Sequence, residues 1–137
     1  MSGEPRVFID TNVLLYLLSA DTRKADRAEE ILRSDRLDRR VSTQVIAEFA
    51  VNLHRKAGLD WPTIRVHIET LRLVCAVETV LSRDQDTAME LAERYRFSWW
   101  DAQILAVAQR CGAKTLYSED LQHGQDVRGL RIENPFL

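Results

Sequence analysis

Short apolar runs alternate with longer amphipathic stretches along the whole chain, and this alternation restricts the fold to an α/β architecture before any single residue is weighed. Arg6 to Ile9 is a β-branched and aromatic run ending at Asp10, after which Val13, Leu14, Leu17 and Leu18 follow helical spacing. A strand hands over to a helix at that carboxylate. Thr22 to Ser34 reads as an amphipathic helix with Ala25, Ala28, Ile31 and Leu32 inward. Arg40 to Ser42 reads as a brief strand, and Val45, Ile46, Phe49, Ala50 and Leu53 form a helical stripe that stops at Gly58, a C′ glycine. Asp60, Trp61 and Pro62 supply an N-cap and a first-turn proline for a helix towards Leu71. Leu73 to Val77 reads as a buried strand, and Ser82 to Gln85 has capping-box spacing at the head of a helix reaching Tyr95. Ser98 caps another helix that ends at Gly112, followed by strands at Thr115 to Tyr117 and Leu130 to Glu133. The prediction is a three-layer α/β/α fold around a central, mainly parallel sheet, with ligand sites at the carboxyl ends of its strands. No repeat or linker divides the chain, so residues 1–137 are expected to form one domain.

Composition narrows the function. Nineteen Lys and Arg against 21 Asp and Glu leave a net charge of −2, which excludes a protein that coats nucleic acid through bulk positive charge. It does not exclude an enzyme that acts on nucleic acid. Sixteen of the nineteen cations are Arg, whose fork suits phosphate. No apolar run approaches the roughly 20 residues of a membrane helix, and the opening residues carry neither a basic start nor an apolar core of a signal peptide. No membrane association and a cytoplasmic location are expected. Cys75 and Cys111 lack metal-ligand spacing and read as buried thiols.

The chemistry rests on carboxylates. Asp10 stands where the first strand meets the first helix, as a helix N-cap or as a group facing the ligand crevice. Asp101 heads an apolar stripe of Ile104, Leu105 and Ala108, yet Ser98 to Asp101 also matches a capping box. Asp120, beside Glu119 and Ser118, follows a late strand and reads either as a site acid or as an acidic surface turn. Glu48 shares a polar helix face with Gln44, Asn52 and Arg55 that solvent alone would explain. Two carboxylates about 4 Å apart repel by roughly 4 kcal/mol at an effective dielectric of 20, so several converging on one edge need a cation or shared protons. An all-oxygen set suits Mg²⁺. His54, His67 and His123 are the histidines, two of them within predicted helices among charged neighbours, and there is no nucleophile elbow, P-loop or dinucleotide fingerprint. Trp99 and Trp100 adjoin Asp101; at least one is expected in the core, with a base-stacking role as the alternative.

Four segments together resemble the PIN-domain nucleases and, within them, the VapC-like toxins of bacterial toxin–antitoxin pairs. Phe8 to Tyr16 is similar to the opening motif, Thr43 to Phe49 to the second, Ser98 to Ile104 to the third, and Leu116 to Leu121 with His123 to Gln125 to the fourth. The closing Asn134, Pro135 and Phe136 are also familiar there. The resemblance implies that Asp10, Glu48, Asp101 and Asp120 are the catalytic acids and ligands of Mg²⁺, with Mn²⁺ able to substitute. Thr11, Asn12 and Ser118 would support them, and Glu119 could share the role of Asp120. It further implies an RNA substrate hydrolysed by water, a small cognate antitoxin protein and a homodimer. The competing reading is a catalytically inactive module of the same fold that works through a protein or RNA partner. A haloacid-dehalogenase-like phosphatase is disfavoured because Asn12 stands where a second Asp is needed. A receiver domain wants an acidic pair at the first strand end and a Lys after a late strand, whereas Lys114 precedes one.

Overall fold

The computed structural model describes residues 3–137. Six strands, β1 (Arg6–Ile9), β2 (Asp38–Ser42), β3 (Ala76–Glu78), β4 (Thr115–Tyr117), β5 (Asp126–Val127) and β6 (Leu130–Glu133), form one sheet in the order β3-β2-β1-β4-β6-β5. All pairings are parallel except the terminal β5–β6 hairpin. The helices are α1 (Thr11–Leu15), extended by a 3₁₀ turn over Tyr16–Leu18, α2 (Thr22–Arg33), α3 (Thr43–Arg55), α4 (Trp61–Val74), α5 (Ser82–Tyr95) and α6 (Trp99–Arg110). From β1 the chain steps outward to β2 and β3, then crosses back to β4 on the other side of β1. Right-handed crossovers therefore place α1 to α4 on one face of the sheet and α5 with α6 on the other, giving the predicted three-layer α/β/α arrangement.

The core forms where the sequence places its large apolar side chains. Phe8 and Ile9 of β1, Leu14, Leu53, Ile64, Leu91, Ile104, Leu105 and Leu116 are all fully or almost fully buried. β1 is flanked on both sides and sandwiched on both faces, which explains its unbroken apolar run. Cys75 and Cys111 are free, buried thiols, and burial pushes Cys75 up to about 11. Among the described residues no helix is long and apolar enough to cross a membrane.

Several local expectations need correction. The stretch Leu73 to Val77 is not a buried strand: α4 continues through Val74, Leu73 is 87% exposed, and the strand Ala76–Glu78 lies at the sheet edge with only partial burial. Apolar composition alone does not distinguish a helix end from a short strand. Ser82 is the first helical residue rather than the cap; Leu81 holds the N-cap position, and Asp84 accepts its backbone N–H at 2.8 Å. Gly58, with φ of +67°, lies two residues beyond the Lys56 C-cap of α3. β2 begins at Asp38 rather than Arg40, and the two-residue β5 carries too little pattern to be read from sequence.

Asp84 also anchors the α5–α6 layer. Its side chain is almost fully buried, and its other oxygen accepts Arg110 Nε at 2.7 Å, while the same guanidinium donates to Thr79 O at 2.8 Å. Arg110→Met leaves a buried carboxylate without its counter-charge, and the expected loss is about 3 kcal/mol in urea unfolding. Adding Asp84→Asn to that variant should restore part of the loss, because the unpaired charge is then gone.

Candidate active site

β1 feeds leftward to β2 while β4 feeds rightward to β6, so the sheet changes direction between β1 and β4. Crevices form at such points, outside the strands' carboxyl ends. The β1–β4 register pairs Ile9 with Tyr117, which makes Asp10 and Ser118 the next residues on each side. Asp10 N donates to Tyr117 O at 3.0 Å, and Ser118 Oγ donates to Asp10 Oδ2 at 2.8 Å.

Asp10 is the helix N-cap: Oδ1 accepts the Thr11 N–H at 2.7 Å and caps α1, while Oδ2 accepts from Ser118 beyond the end of β4. The residue is only 5% exposed. Burial, with the charges of Asp101 and Glu48 added, raises its pKa from 3.8 to about 6, against the pull of the bonds from Ser118 and Thr11.

Glu48 projects from the second turn of α3 and is not simply solvated. Oε1 accepts from the buried Thr11 hydroxyl at 2.7 Å, and Oε2 accepts from Gln44 Nε2 at 3.1 Å. Asp101 lies in the first turn of α6. Ser98 Oγ accepts its backbone N–H at 3.2 Å, so half of the predicted capping box is present. The Asp101 carboxyl is pushed above its usual range by burial and by the Glu48 and Asp120 charges, with the Ser98 hydroxyl opposing. Asp120 is the exposed member of the group, and it accepts from Asn12 Nδ2 at 3.2 Å. The same amide lies 3.2 Å from Asp10 Oδ2 and from Ser118 Oγ, while Asn12 Oδ1 accepts the Glu119 backbone N–H at 3.0 Å. Asn12 thus ties α1 to the loop after β4.

Glu119 is otherwise engaged. Its carboxylate accepts from Lys24 Nζ at 2.5 Å and from the Tyr16 hydroxyl. Burial works against that charge, but the Lys24 and Tyr16 bonds outweigh it and hold the carboxyl below its usual range. His123 is occupied in the C-terminal loop, where Nδ1 accepts the Asn134 N–H at 3.0 Å. Neither Trp99 nor Trp100 is in the core: they are 36% and 60% exposed. The apolar spacing of α6 expected one of them inside, but the buried face begins at Ala102.

Sequence reasoning missed two supports. Gln44 and Gln103 are both buried, and Gln103 Nε2 donates to Gln44 Oε1 at 2.7 Å. Gln44 Nε2 then donates to Glu48 and, at 3.0 Å, to Trp100 O, linking α3 to the turn that carries Asp101. An amide inside the α6 apolar stripe was the available signal.

None of Asp10, Glu48, Asp101 and Asp120 has a Lys or Arg ion-pair partner among the described residues, whereas Glu119, Asp38, Glu78 and Asp84 all do. Like charges act on one another here: Glu48 and Asp101 on Asp10, and Glu48 and Asp120 on Asp101. No group of three or more His, Cys, Asp or Glu side chains among the described residues is close enough to hold a metal ion as placed. The hard oxygen donors and the unmet negative charge fit a divalent ion of the Mg²⁺ or Mn²⁺ type.

The PIN-domain family profile matches residues 7–125, which contain all four acids. This chain belongs to the PIN-domain family. Its fold is shared with solved structures across most of its length. Mycobacterium tuberculosis VapC20, described as a sarcin–ricin loop cleaving toxin, aligns with this PIN domain at TM-score 0.69 and 26% identity, over 83% of this chain and 89% of that one. A toxin–antitoxin complex from Klebsiella pneumoniae aligns at TM-score 0.71 and 18% identity, covering 94% and 97% of the respective chains. DNA-bound VapBC from Salmonella typhimurium aligns at 0.68 and 17%, covering 96% and 98%. A search of curated protein sequences finds no match.

Proposed function

We propose that this PIN domain is a metal-dependent endoribonuclease and the toxin of a toxin–antitoxin pair, with Asp10, Glu48, Asp101 and Asp120 as the acids that hold Mg²⁺ or Mn²⁺. The carrying observation is the set of four carboxylates, from four different elements, left without any protein counter-charge at the strand ends. A structural acid cluster of this size would be expected to recruit Arg or Lys, as Asp38 and Asp84 do. The likeness to the VapC20 toxin supports the RNA substrate and the toxin role, and the toxin–antitoxin complexes among the fold relatives support a small protein partner.

A bound divalent ion would supply activation of water and stabilisation of negative charge on the phosphate. The chain's own residues arrange for it. Ser118, Thr11 and Asn12 direct their donors at the Asp10 and Glu48 oxygens and keep the remaining lone pairs facing the crevice. Gln44 holds Glu48 beside the turn that bears Asp101. No side chain is placed as a covalent nucleophile, so direct attack by water on the phosphodiester is the expected route, leaving 5′-phosphate and 3′-hydroxyl ends.

Incubation of structured and single-stranded RNAs with Mg²⁺, Mn²⁺ or EDTA, with product ends mapped, tests the reading. Cleavage that needs metal and leaves 5′-phosphates is expected; 2′,3′-cyclic ends would overturn the mechanism. Failure of the folded protein both to cleave and to bind Mn²⁺ would favour the inactive binding module.

Glu119 and Asp120 separate by Mn²⁺ affinity and stability. Asp120→Asn is expected to weaken Mn²⁺ binding at least about tenfold, as removal of a ligand or its partner does. Glu119→Gln should leave Mn²⁺ affinity nearly unchanged and instead lower thermal stability by loosening the Lys24 and Tyr16 contacts. Isothermal titration beside a thermal melt reads both.

A further inference from the structure

We propose that the segment Arg94 to Trp100 is a ridge that holds unpaired RNA bases beside the carboxylate crevice, with Trp99 and Trp100 as stacking surfaces and Arg94 and Arg96 as phosphate contacts. The proposal rests on the nuclease reading and names its substrate class: RNA that is single-stranded or looped where it is cut.

Folding does not account for these side chains. Both indoles are exposed in the first turn of α6, directly before Asp101, and the Trp100–Asp101 peptide is held on both sides: Trp100 O accepts from Gln44 Nε2, and Asp101 N donates to Ser98 Oγ. An exposed aromatic pair on an anchored helix start beside a site acid is a surface on which a base can stack. The preceding residues alternate: Tyr95 and Phe97 are half-buried, with ring centroids 5.8 Å apart, whereas Arg94 and Arg96 are exposed. Neither arginine has a carboxylate partner among the described residues; Arg94 lies 5.5 Å from the Tyr95 ring centroid. Arg96 caps α5 with φ of 62°, the left-handed conformation usually given to Gly. A β-carbon there carries strain that Gly would avoid. A guanidinium kept at a strained position, beside exposed indoles and next to a phosphodiester-directed site, is explained by a polyanionic ligand.

The occupant is RNA rather than a second copy of this chain. Two indoles bury at most about 500 Å² together, below the roughly 800 Å² per partner of a stable protein interface. The adjacent charges also favour a polyanion over an identical basic ridge. Stacking needs open base faces, which loops and single strands present and duplexes hide.

Trp61→Phe removes the remaining tryptophan, which stacks on His54 with centroids 4.4 Å apart, so intrinsic fluorescence then reports Trp99 and Trp100 alone. Titration in EDTA uses a short unstructured oligoribonucleotide and the same strand annealed to its complement. The single strand should quench the fluorescence and the duplex should not. In that background Trp100→Ala should weaken single-strand binding about tenfold by losing one stacked base. Arg96→Gly should weaken it as well and lower the salt dependence by about one phosphate contact, while thermal stability stays level or rises. Absence of single-strand quenching, equal quenching by the duplex, or unchanged affinity in both variants overturns the ridge. So does a change of oligomeric state in Trp100→Ala with RNA affinity intact, which assigns the indoles to contact between copies. Metal-dependent cleavage with unaltered KM in Trp100→Ala overturns the ridge and leaves the nuclease standing. Selective single-strand binding by a protein that neither cleaves RNA nor binds Mn²⁺ retains the ridge and overturns the nuclease.

Discussion

Asp10→Asn is expected to lower RNA cleavage by more than about a hundredfold, because loss of a mere supporting group around a metal already costs about ten- to a hundredfold. Mn²⁺ is expected to raise the melting temperature of the wild type and not that of the variant. The variant should not lose its fold. The amide can keep the cap on Thr11 N through its oxygen, and the Ser118 hydroxyl can turn to accept from its nitrogen; only the Asn12 contact is lost, and Asn12 retains Ser118 and Asp120. With the buried charge removed, the metal-free variant is expected to be more stable than the wild type at pH 7. The displacement of Asp10 from 3.8 to about 6 corresponds to about 3 kcal/mol, and a lost hydrogen bond takes back about 1 kcal/mol. Denaturant unfolding in EDTA, beside a cleavage assay, reads both halves. A variant less stable than wild type would contradict the electrostatic account, and one that cleaves normally would remove Asp10 from the chemistry.

The second large effect is on the pH dependence of the metal-free protein. Folding raises the proton affinity of Asp10, so between its unfolded value of 3.8 and about 6 the folded chain holds a proton that the unfolded chain does not. The stability this contributes is fully present below the lower value and is lost as pH rises through the upper one. Asp101 moves in the same direction. Asp38 and Glu119 have lowered values and act oppositely: their contribution is present above 3.8 and 4.5 respectively and is lost as pH falls through their folded values, largely below the Asp10 window. In EDTA, stability should therefore fall on going from pH 5 to pH 7, by about 1 kcal/mol from Asp10, since about half of the full difference is already lost at pH 5. Saturating Mn²⁺ should reverse the trend, since a cation binds the deprotonated form. Urea midpoints at the two pH values, with and without Mn²⁺, measure it. A flat EDTA profile would mean that burial does not disfavour the Asp10 charge.

The sheet and its acids were legible wherever one short-range rule dominated. Arg6 to Ile9 followed by a helical stripe located β1, α1 and the hand-over at Asp10, because a change of apolar period needs no tertiary information. Asp101 drew attention as a charge at the head of an apolar helix face. Glu48 was not legible from spacing: Thr11 reaches it only once α1 and α3 are packed, and Gln44, one turn away on α3, is itself fixed by Gln103 of α6. The Lys24, Tyr16 and Glu119 cluster likewise joins two neighbouring residues to one 95 positions beyond Lys24, and no local signal announces it. Leu73 was misread because a helix end and a strand share the same short apolar pattern, and the exposure that separates them is a tertiary property. Trp99 and Trp100 were misplaced for the opposite reason: bulk and apolarity suggested burial, whereas α6 turns its buried face from Ala102 onward.

The strand order also bears on synthesis. β1 is translated before the other five strands yet sits inside the sheet, and its neighbour β4 follows about a hundred residues later. Until β4 is made, Asp10 has no Ser118 hydroxyl beside it, and Asn12 has no Glu119 N–H or Asp120 to bind. The contacts that assemble the crevice are long-range and form late, as the slow step of a parallel sheet. A nascent chain or a product truncated before Thr115 therefore lacks the complete site, and the four acids meet only when nearly all of the chain has been made.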